Sequence, residues 1–540
     1  MRRAWLVIAV VAVVIAGAGA FWFLRRDRGP GDAARDYVAA WTRGDYTAMR
    51  ALTDGAPADF EKRLKQTHDD MAASKQTYTL ASTGEESASY EAAFTLAGNR
   101  TWSYTGVLPF AKSDGKWRVT WSPDVLYPGL KDGQRLRASR AWPDRAPVQA
   151  KDGSDLAGPG SAGQIAGTVA PATAEAAAKL GAPYKKGDPA GADGLQHQYE
   201  RRLAGTPALA VQIVDDGGKV VKTLQRFGGK DGTPLRTTID ARAQAAASRA
   251  LSGVEKNASL VAIRPSTGEI VAIANKPGGY NRALMGTYPP GSTFKVVTAA
   301  ALVAGGMSAS TPVACPATVS IGGRTFKNSE FEQFGTVPLR EAFAHSCNTT
   351  FAKLAVDKLG AKRLAQVAEQ FGFNAPIIGG LPAVRAAFPA TADDTALAAA
   401  AFGQGEVLTS PLNMAAVAAA AASGTWRSPR VVDASLVSKA VDANGRRPEP
   451  PHPLEPAVKR ALHSLMPAVV SEGTARGVSF PAGTAGKTGT AEFGSGENPP
   501  THAWFIGYRG DLAFAVIIED GGTGAEAAAP VAAAFLRAAT

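Results

Sequence analysis

Apolar positions change their rhythm several times along the chain. Residues 4–24 (AWLVIAVVAVVIAGAGAFWFL) form an unbroken run of 21 uncharged positions. At 1.5 Å per residue a helix there spans about 31 Å, the thickness of a hydrocarbon core. Trp5, Phe21 and Trp22 stand near its ends, where interfacial aromatics belong. The apolar run continues through FWFL into an arginine pair, which favours an uncleaved anchor over a cleaved signal peptide despite the small-residue sites around Gly17 and Gly19. After Gly29-Pro30, helical spacing takes over at 33–41, at a short helix from Tyr46 and at 57–68. Strand-like stretches follow at 77–82, 90–96, 101–109 and 117–121, predicting an antiparallel meander.

The stretch 131–232 is rich in Gly, Ala and Pro and patchily charged. From Leu235 the punctuation becomes regular. Strands are predicted at 259–263 and 269–274 around the hairpin signal RPSTG, then at 484–493, 503–508 and 512–518, the last two joined by RGD. An Ala-rich helical middle separates the two groups, and 525–538 closes the chain as a helix interrupted by Pro530. Strands at both ends of this region predict one antiparallel sheet flanked by helices and built from both ends.

Composition narrows the reading. At 540 residues the chain exceeds what one core usually serves, and 45% apolar with 19% charged residues excludes wholesale disorder. Of the net charge of +11, Arg2, Arg3, Arg25, Arg26 and Arg28 less Asp27 supply +4, so about +7 is spread over the other 512 residues without a long basic run. That balance suits an anionic membrane or wall surface and argues against sequence-specific nucleic-acid binding. Two cysteines exclude a disulfide scaffold or a Cys-rich zinc site, and none of the six histidines pairs at i, i+4, so neither a metal nor a cofactor is expected.

The chemistry begins at Tyr288-Pro289-Pro290-Gly291-Ser292-Thr293-Phe294-Lys295, followed by VVTAAALVAGG. The prolines and glycine end a loop and predict a helix starting at Ser292, apolar nearly all round and hence buried. Ser292 and Lys295, at i and i+3, then share one face. A serine hydroxyl needs a base beside it, and a lysine serves only if burial or a second cation lowers its pKa. The spacing alone is weak, since Ser113-Asp114-Gly115-Lys116 repeats it in a turn between two strands. What distinguishes Ser292 is its company: Ser346-Cys347-Asn348 lies 54 residues on, and Lys487-Thr488-Gly489, followed by Thr490, 141 residues further. The trio in this order is the set of the active-serine penicillin-recognising enzymes.

With YNRALMGTYPPGSTFKVVTA, LREAFAHSCNTTFAKLA, FGQGEVLTSPLNMA, AGKTGTAEF and AWFIGY in order, residues 233–540 resemble the transpeptidase domain of class B penicillin-binding proteins. Upstream, three helices, a meander and the closing WRVTWSPDVLYPGL make 29–130 similar to the NTF2-like, MecA N-terminal type domain. RAPVQAKDGSDLA and GLQHQYERRLAG give 131–232 a partial resemblance to the dimerisation or pedestal domain. The expected architecture is multidomain: a transmembrane anchor at 1–28, an α+β NTF2-like domain, an α+β pedestal, and an α/β serine transpeptidase, β-lactamase-like domain. The resemblance implies a membrane-anchored D,D-transpeptidase acting on peptidoglycan stem peptides and lipid II-derived glycan strands. It implies acylation by β-lactams, a catalytic domain outside the membrane on a single-pass anchor, and a SEDS-type glycan polymerase as partner.

It also implies roles. Ser292 is the nucleophile, Lys295 its base and Lys487 the second cation. Ser346 relays a proton and Asn348 binds the substrate amide. Thr488, Gly489 and Thr490 hold the substrate backbone, and the Ser292 and Thr490 N–H groups form the oxyanion hole. A D,D-carboxypeptidase, a low-affinity β-lactam-resistant form and a non-catalytic wall scaffold are the alternatives. A class A polymerase domain is not expected, because the Glu-Asp pair needed before the transpeptidase occurs only at Glu519-Asp520. Cys315 and Cys347 are read either as a disulfide closing a loop of about 30 residues, worth roughly 3–4 kcal/mol, or as two buried thiols. His345 is expected in a core or capping role.

Overall fold

The computed structural model describes residues 29–496 and 499–539. The expected anchor at 1–28 lies outside them, and among the described residues no helix is long and apolar enough to cross a membrane. The chain divides into two compact units. Of the described residues, one holds 29–144 with 172–188 and 204–232; the other holds 145–171, 189–203 and those from 233 onward. The stretch 131–232 thus contributes to both.

The first unit opens with helix Pro30–Arg43, which carries Pro at its first turn and buries Tyr37, Val38 and Trp41. Gly44, at φ 69°, closes it, and Asp45 caps the short helix Tyr46–Ala51 through the Ala48 N–H at 3.0 Å. Helix Phe60–Met71 follows. The meander forms as expected from Lys75–Thr83, Ser87–Leu96, Arg100–Ser113 and Lys116–Thr120. It gains a fifth member, Thr53–Asp54, parallel to Val119–Thr120, which two residues are too few to announce by alternation. Trp41 stacks on Tyr78 at 4.0 Å, and Gly106 is bare because a Cβ there would lie 2.3 Å from the Tyr90 ring. The spurious Ser113–Lys116 spacing is the turn between two paired strands, with Asp114 and Gly115 both at positive φ. Strands Gln134–Ala141, Ala208–Asp215 and Val220–Phe227 form a second sheet whose Leu136, Leu209, Val211 and Ile213 join the same core.

The second unit is built on one five-stranded antiparallel sheet. Its order is Glu269–Lys276, Ala258–Arg264, Leu512–Ile518, Thr501–Arg509, Ala485–Glu492. Strand Thr501–Arg509 is buried along its middle and Leu512–Ile518 nearly throughout, as befits a sheet covered on both faces. Helix Ala241–Ser252 packs with Ala529–Ala539, and helix Pro411–Ser423 packs with Pro456–Ser471. The closing helix begins at Ala529 after a wide π-type turn, Gly524–Ala528, which places Pro530 in its first turn rather than its interior.

The outer edge of Glu269–Lys276 is closed by groups that imitate a neighbouring strand. The Gln244 amide donates to Ile273 O at 2.7 Å and accepts from Ile273 N at 2.8 Å. The Ser161 hydroxyl accepts from Asn275 N at 3.0 Å, and Ile270 N donates to Arg430 O at 2.8 Å. Ala485–Glu492, which carries the Lys487 motif, is the other edge of the sheet.

Candidate active site

The expected helix start is off by three residues. Residues Gly291–Phe294 form a 3-10 turn and the α-helix proper begins at Lys295. In a 3-10 turn i and i+3 eclipse, which brings the two side chains directly together. Lys295 Nζ lies 3.0 Å from Ser292 Oγ. Gly291 adopts φ 53°, donates its N–H to Gly403 O at 2.9 Å, and leaves no room for a Cβ, which would stand 2.7 Å from Thr490 O.

Ser346 sits between helices Leu339–Ala344 and Asn348–Leu354 at φ 60°, a left-handed conformation that costs a non-glycine residue about 1 kcal/mol or more. That turn aims both its oxygens at one point: Lys295 Nζ is 2.5 Å from Ser346 O and 3.1 Å from Ser346 Oγ. Asn348 Oδ1 accepts from Lys295 Nζ at 2.6 Å, and its amide orientation follows from Nδ2 donating to Lys327 O at 3.1 Å. A disulfide joins Cys347, at the centre of this motif, to Cys315 with a Cα–Cα distance of 6.1 Å. His345 stacks on Phe334 at 4.2 Å, a packing role.

Lys487 is fully buried, donates to Thr488 O at 3.0 Å and faces the Phe343 ring. Burial brings its pKa down to about 7. Lys295, equally buried and facing the Phe351 ring, is held well below the ordinary lysine value by burial first and by Lys487 second. The consequence is specific. A neutral Lys295 amine has two N–H bonds and one lone pair. Ser346 O and Asn348 Oδ1 are pure acceptors and take the N–H bonds, which leaves the lone pair for a hydroxyl, with Ser292 Oγ and Ser346 Oγ both in reach.

Thr488 and Gly489 are buried on the edge strand and Thr490 is exposed. A Cβ on Gly489 would meet Thr293 Cγ2 at 2.8 Å, so only glycine lets the strand lie against the Ser292 turn. Thr490 Oγ1 accepts from Gly524 N at 3.4 Å, and Thr488 Oγ1 is 2.6 Å from Thr474 Oγ1. Ser292, Lys295, Ser346 and Asn348 are thus directly bonded, and Lys487 joins them through its charge. Thr474, Lys327 and the rings of Phe343 and Phe351 were not anticipated. Lys327 contributes only a backbone carbonyl, which no side-chain pattern signals. A cavity of about 610 Å³ lies elsewhere in the unit, beside Gln164, Gln244 and Asn275. Among the described residues no group of three or more His, Cys, Asp or Glu is gathered as metal ligands.

Comparison with known proteins matches residues 258–537 to the penicillin binding protein transpeptidase domain. The chain belongs to the penicillin-binding protein transpeptidase family. Residues 29–134 match the NTF2-like N-terminal transpeptidase domain, and 158–237 the penicillin-binding protein dimerisation domain. This penicillin-binding protein is 32% identical over 384 residues to the peptidoglycan D,D-transpeptidase PbpA of Mycobacterium tuberculosis H37Rv, spanning 58% of the chain and 74% of the relative. Among solved structures it superposes on penicillin-binding protein A from M. tuberculosis in a ceftriaxone acyl-enzyme complex with a TM-score of 0.51 at 29% identity, covering 57% of this chain and 80% of that one. It superposes on a chain of a peptidoglycan synthase complex coordinating polymerization and crosslinking with a TM-score of 0.60 at 27% identity, covering 70% and 74%.

Proposed function

We propose that this penicillin-binding protein is a peptidoglycan D,D-transpeptidase working through a Ser292 acyl-enzyme. The observation that carries the reading is Lys295, fully buried and held well below the ordinary lysine value, with Ser292 Oγ 3.0 Å from its nitrogen. Ser292 Oγ attacks the penultimate D-Ala carbonyl of a stem peptide while its proton passes to Lys295. The oxyanion faces the N–H groups of Ser292 and Thr490. Collapse breaks the amide bond, and the proton returns through Ser346 Oγ to the departing D-Ala amine. An amine of a second stem then attacks the ester, forms the cross-link and restores the serine hydroxyl. The donor backbone adds to the Lys487 strand edge, where Gly489 leaves room for it. Its terminal carboxylate is drawn to the Lys487 end.

Residues 1–28 act in this reading as a single-pass anchor with the catalytic domain extracytoplasmic, supported by the 21-residue apolar run and its arginine flanks. A membrane glycan polymerase of the SEDS type is the partner that would supply lipid II-derived strands, and the likeness to a chain of a peptidoglycan synthase complex supports it.

Intact mass of the chain from Gly29, with and without penicillin G, tests the reading. One stable adduct, lost in Ser292→Ala, is expected. A transient adduct with the drug consumed would make it a β-lactamase. No adduct, together with no D-Ala release from a pentapeptide stem, would leave a non-catalytic scaffold. Release of D-Ala without cross-linked product would make it a carboxypeptidase.

A further inference from the structure

The segment delivering Ser292 is pinned residue by residue. Tyr288 exchanges two 2.8 Å backbone bonds with Thr409, Pro289 O accepts from Trp504 Nε1 at 3.1 Å, and Gly291 N donates to Gly403 O at 2.9 Å. At its upstream end two side chains converge on one oxygen: the Tyr288 hydroxyl donates to Glu519 Oε1 at 2.6 Å and Arg282 Nε donates to it at 3.0 Å. The other oxygen, Oε2, accepts from Asn257 Nδ2 at 2.8 Å. Glu519 immediately follows strand Leu512–Ile518 and Asn257 immediately precedes strand Ala258–Arg264, and the two are joined again by Glu519 N to Asn257 O at 2.8 Å. The carboxylate is therefore fixed to the middle of the sheet on one side and grips the nucleophile segment on the other. Side-chain exposures of 13% for Arg282 and 24% for Glu519 keep water from replacing these bonds freely.

We propose that Glu519 is a positioning residue for acylation: by holding Tyr288 and Arg282 on one oxygen, it sets the Tyr288–Gly291 segment so that Ser292 Oγ stays within reach of Lys295. The inference rests on the Ser292 acyl-enzyme reading. A carboxylate suits the post because all three partners donate. In glutamine the carbonyl can still take the two segment donors, but its NH₂ then opposes the Asn257 NH₂ until that amide turns over. Alanine leaves an uncompensated guanidinium and an unbonded phenol.

The test measures the acylation rate constant and the non-covalent affinity for a β-lactam separately, with a thermal melt for each variant. Tyr288→Phe removes a single hydroxyl. It is expected to slow acylation roughly 10-fold while the non-covalent affinity stays within about twofold, since the effect is one of alignment. Glu519→Ala is expected to lose more, with Glu519→Gln between it and the parent protein. The double variant Tyr288→Phe/Glu519→Ala should be no slower than Glu519→Ala, because both act through one contact. Acylation within about twofold of the parent in Tyr288→Phe would overturn the proposal, and so would losses that only follow the fraction folded at the assay temperature. If Glu519→Ala does not fold, Tyr288→Phe and Glu519→Gln decide. An unaltered protein that penicillin does not acylate and that releases no D-Ala from a pentapeptide stem would instead overturn the reading of Ser292, and this inference with it.

Discussion

Lys487 shows what a functional residue costs when it is buried. An ordinary lysine titrates near 10.5 and this one near about 7, a difference of roughly 5 kcal/mol between the two protonation states. Between those values the unfolded chain holds a proton that the folded chain does not, so the folded state gains stability as pH rises from 7 toward 10.5. Below pH 7 the full cost is present. Lys487→Met keeps the volume and removes the charge. It is expected to abolish acylation while raising unfolding free energy at pH 7 by several kcal/mol, up to roughly 5. Denaturant unfolding at pH 7 and pH 10 checks the sign: the advantage over the parent must shrink at the higher pH, and one that grows would contradict it. The same substitution removes the second cause of the low Lys295 pKa, so any residual acylation should lose its acid limb at a higher pH than the parent.

At the scale of elements, the site is a meeting of three backbone devices: a 3-10 turn, a left-handed serine and a sheet edge. Gly291 serves the turn and the sheet edge at once, through its φ of 53° and its closeness to Thr490 O. Gly291→Ala must either relax that φ or push the edge strand away. Acylation is expected to fall about 100-fold, since an ångström of misplacement at a reacting atom is that costly, with a fall of several degrees in the melting temperature. Unchanged acylation would show that the turn and the strand move independently.

These devices also mark how far the sequence could be read. Ser292, Lys295, Ser346, Asn348 and Lys487 were legible because acyl transfer demands those side chains, and motif order ties distant segments together. The meander and the five sheet strands were legible from alternation and punctuation. The 3-10 start was not, because prolines and glycine announce a helix without fixing its pitch. Thr53–Asp54 was too short to carry a period. Glu519 could not be read either, since its partners lie more than 230 residues upstream and a single glutamate in a Gly-rich loop looks like a solvated turn. The disulfide was left open by sequence and is formed in the structure between Cys315 and Cys347.

For the whole molecule, the apolar run at 4–24 and the catalytic site make a joint prediction. The full-length chain should sediment with membranes and resist carbonate extraction, the chain from Gly29 should stay in the supernatant, and external protease should reach the transpeptidase region of intact spheroplasts. Full-length protein released by carbonate would remove the anchor from the reading. A second consequence concerns traffic through the site. With Gln244, Ser161 and Arg430 sealing one margin of the sheet, only the Lys487 margin can take a guest chain by backbone pairing. Donor and acceptor stems cannot both dock that way at once. D-Ala leaves while the donor acyl group stays on Ser292 in that berth, so the acceptor enters the acyl-enzyme afterwards and is held by side-chain contacts. Initial rates of D-Ala release against donor at several acceptor concentrations should therefore give parallel double-reciprocal lines, the pattern of ping-pong exchange, and intersecting lines would mean that both stems sit in the protein together.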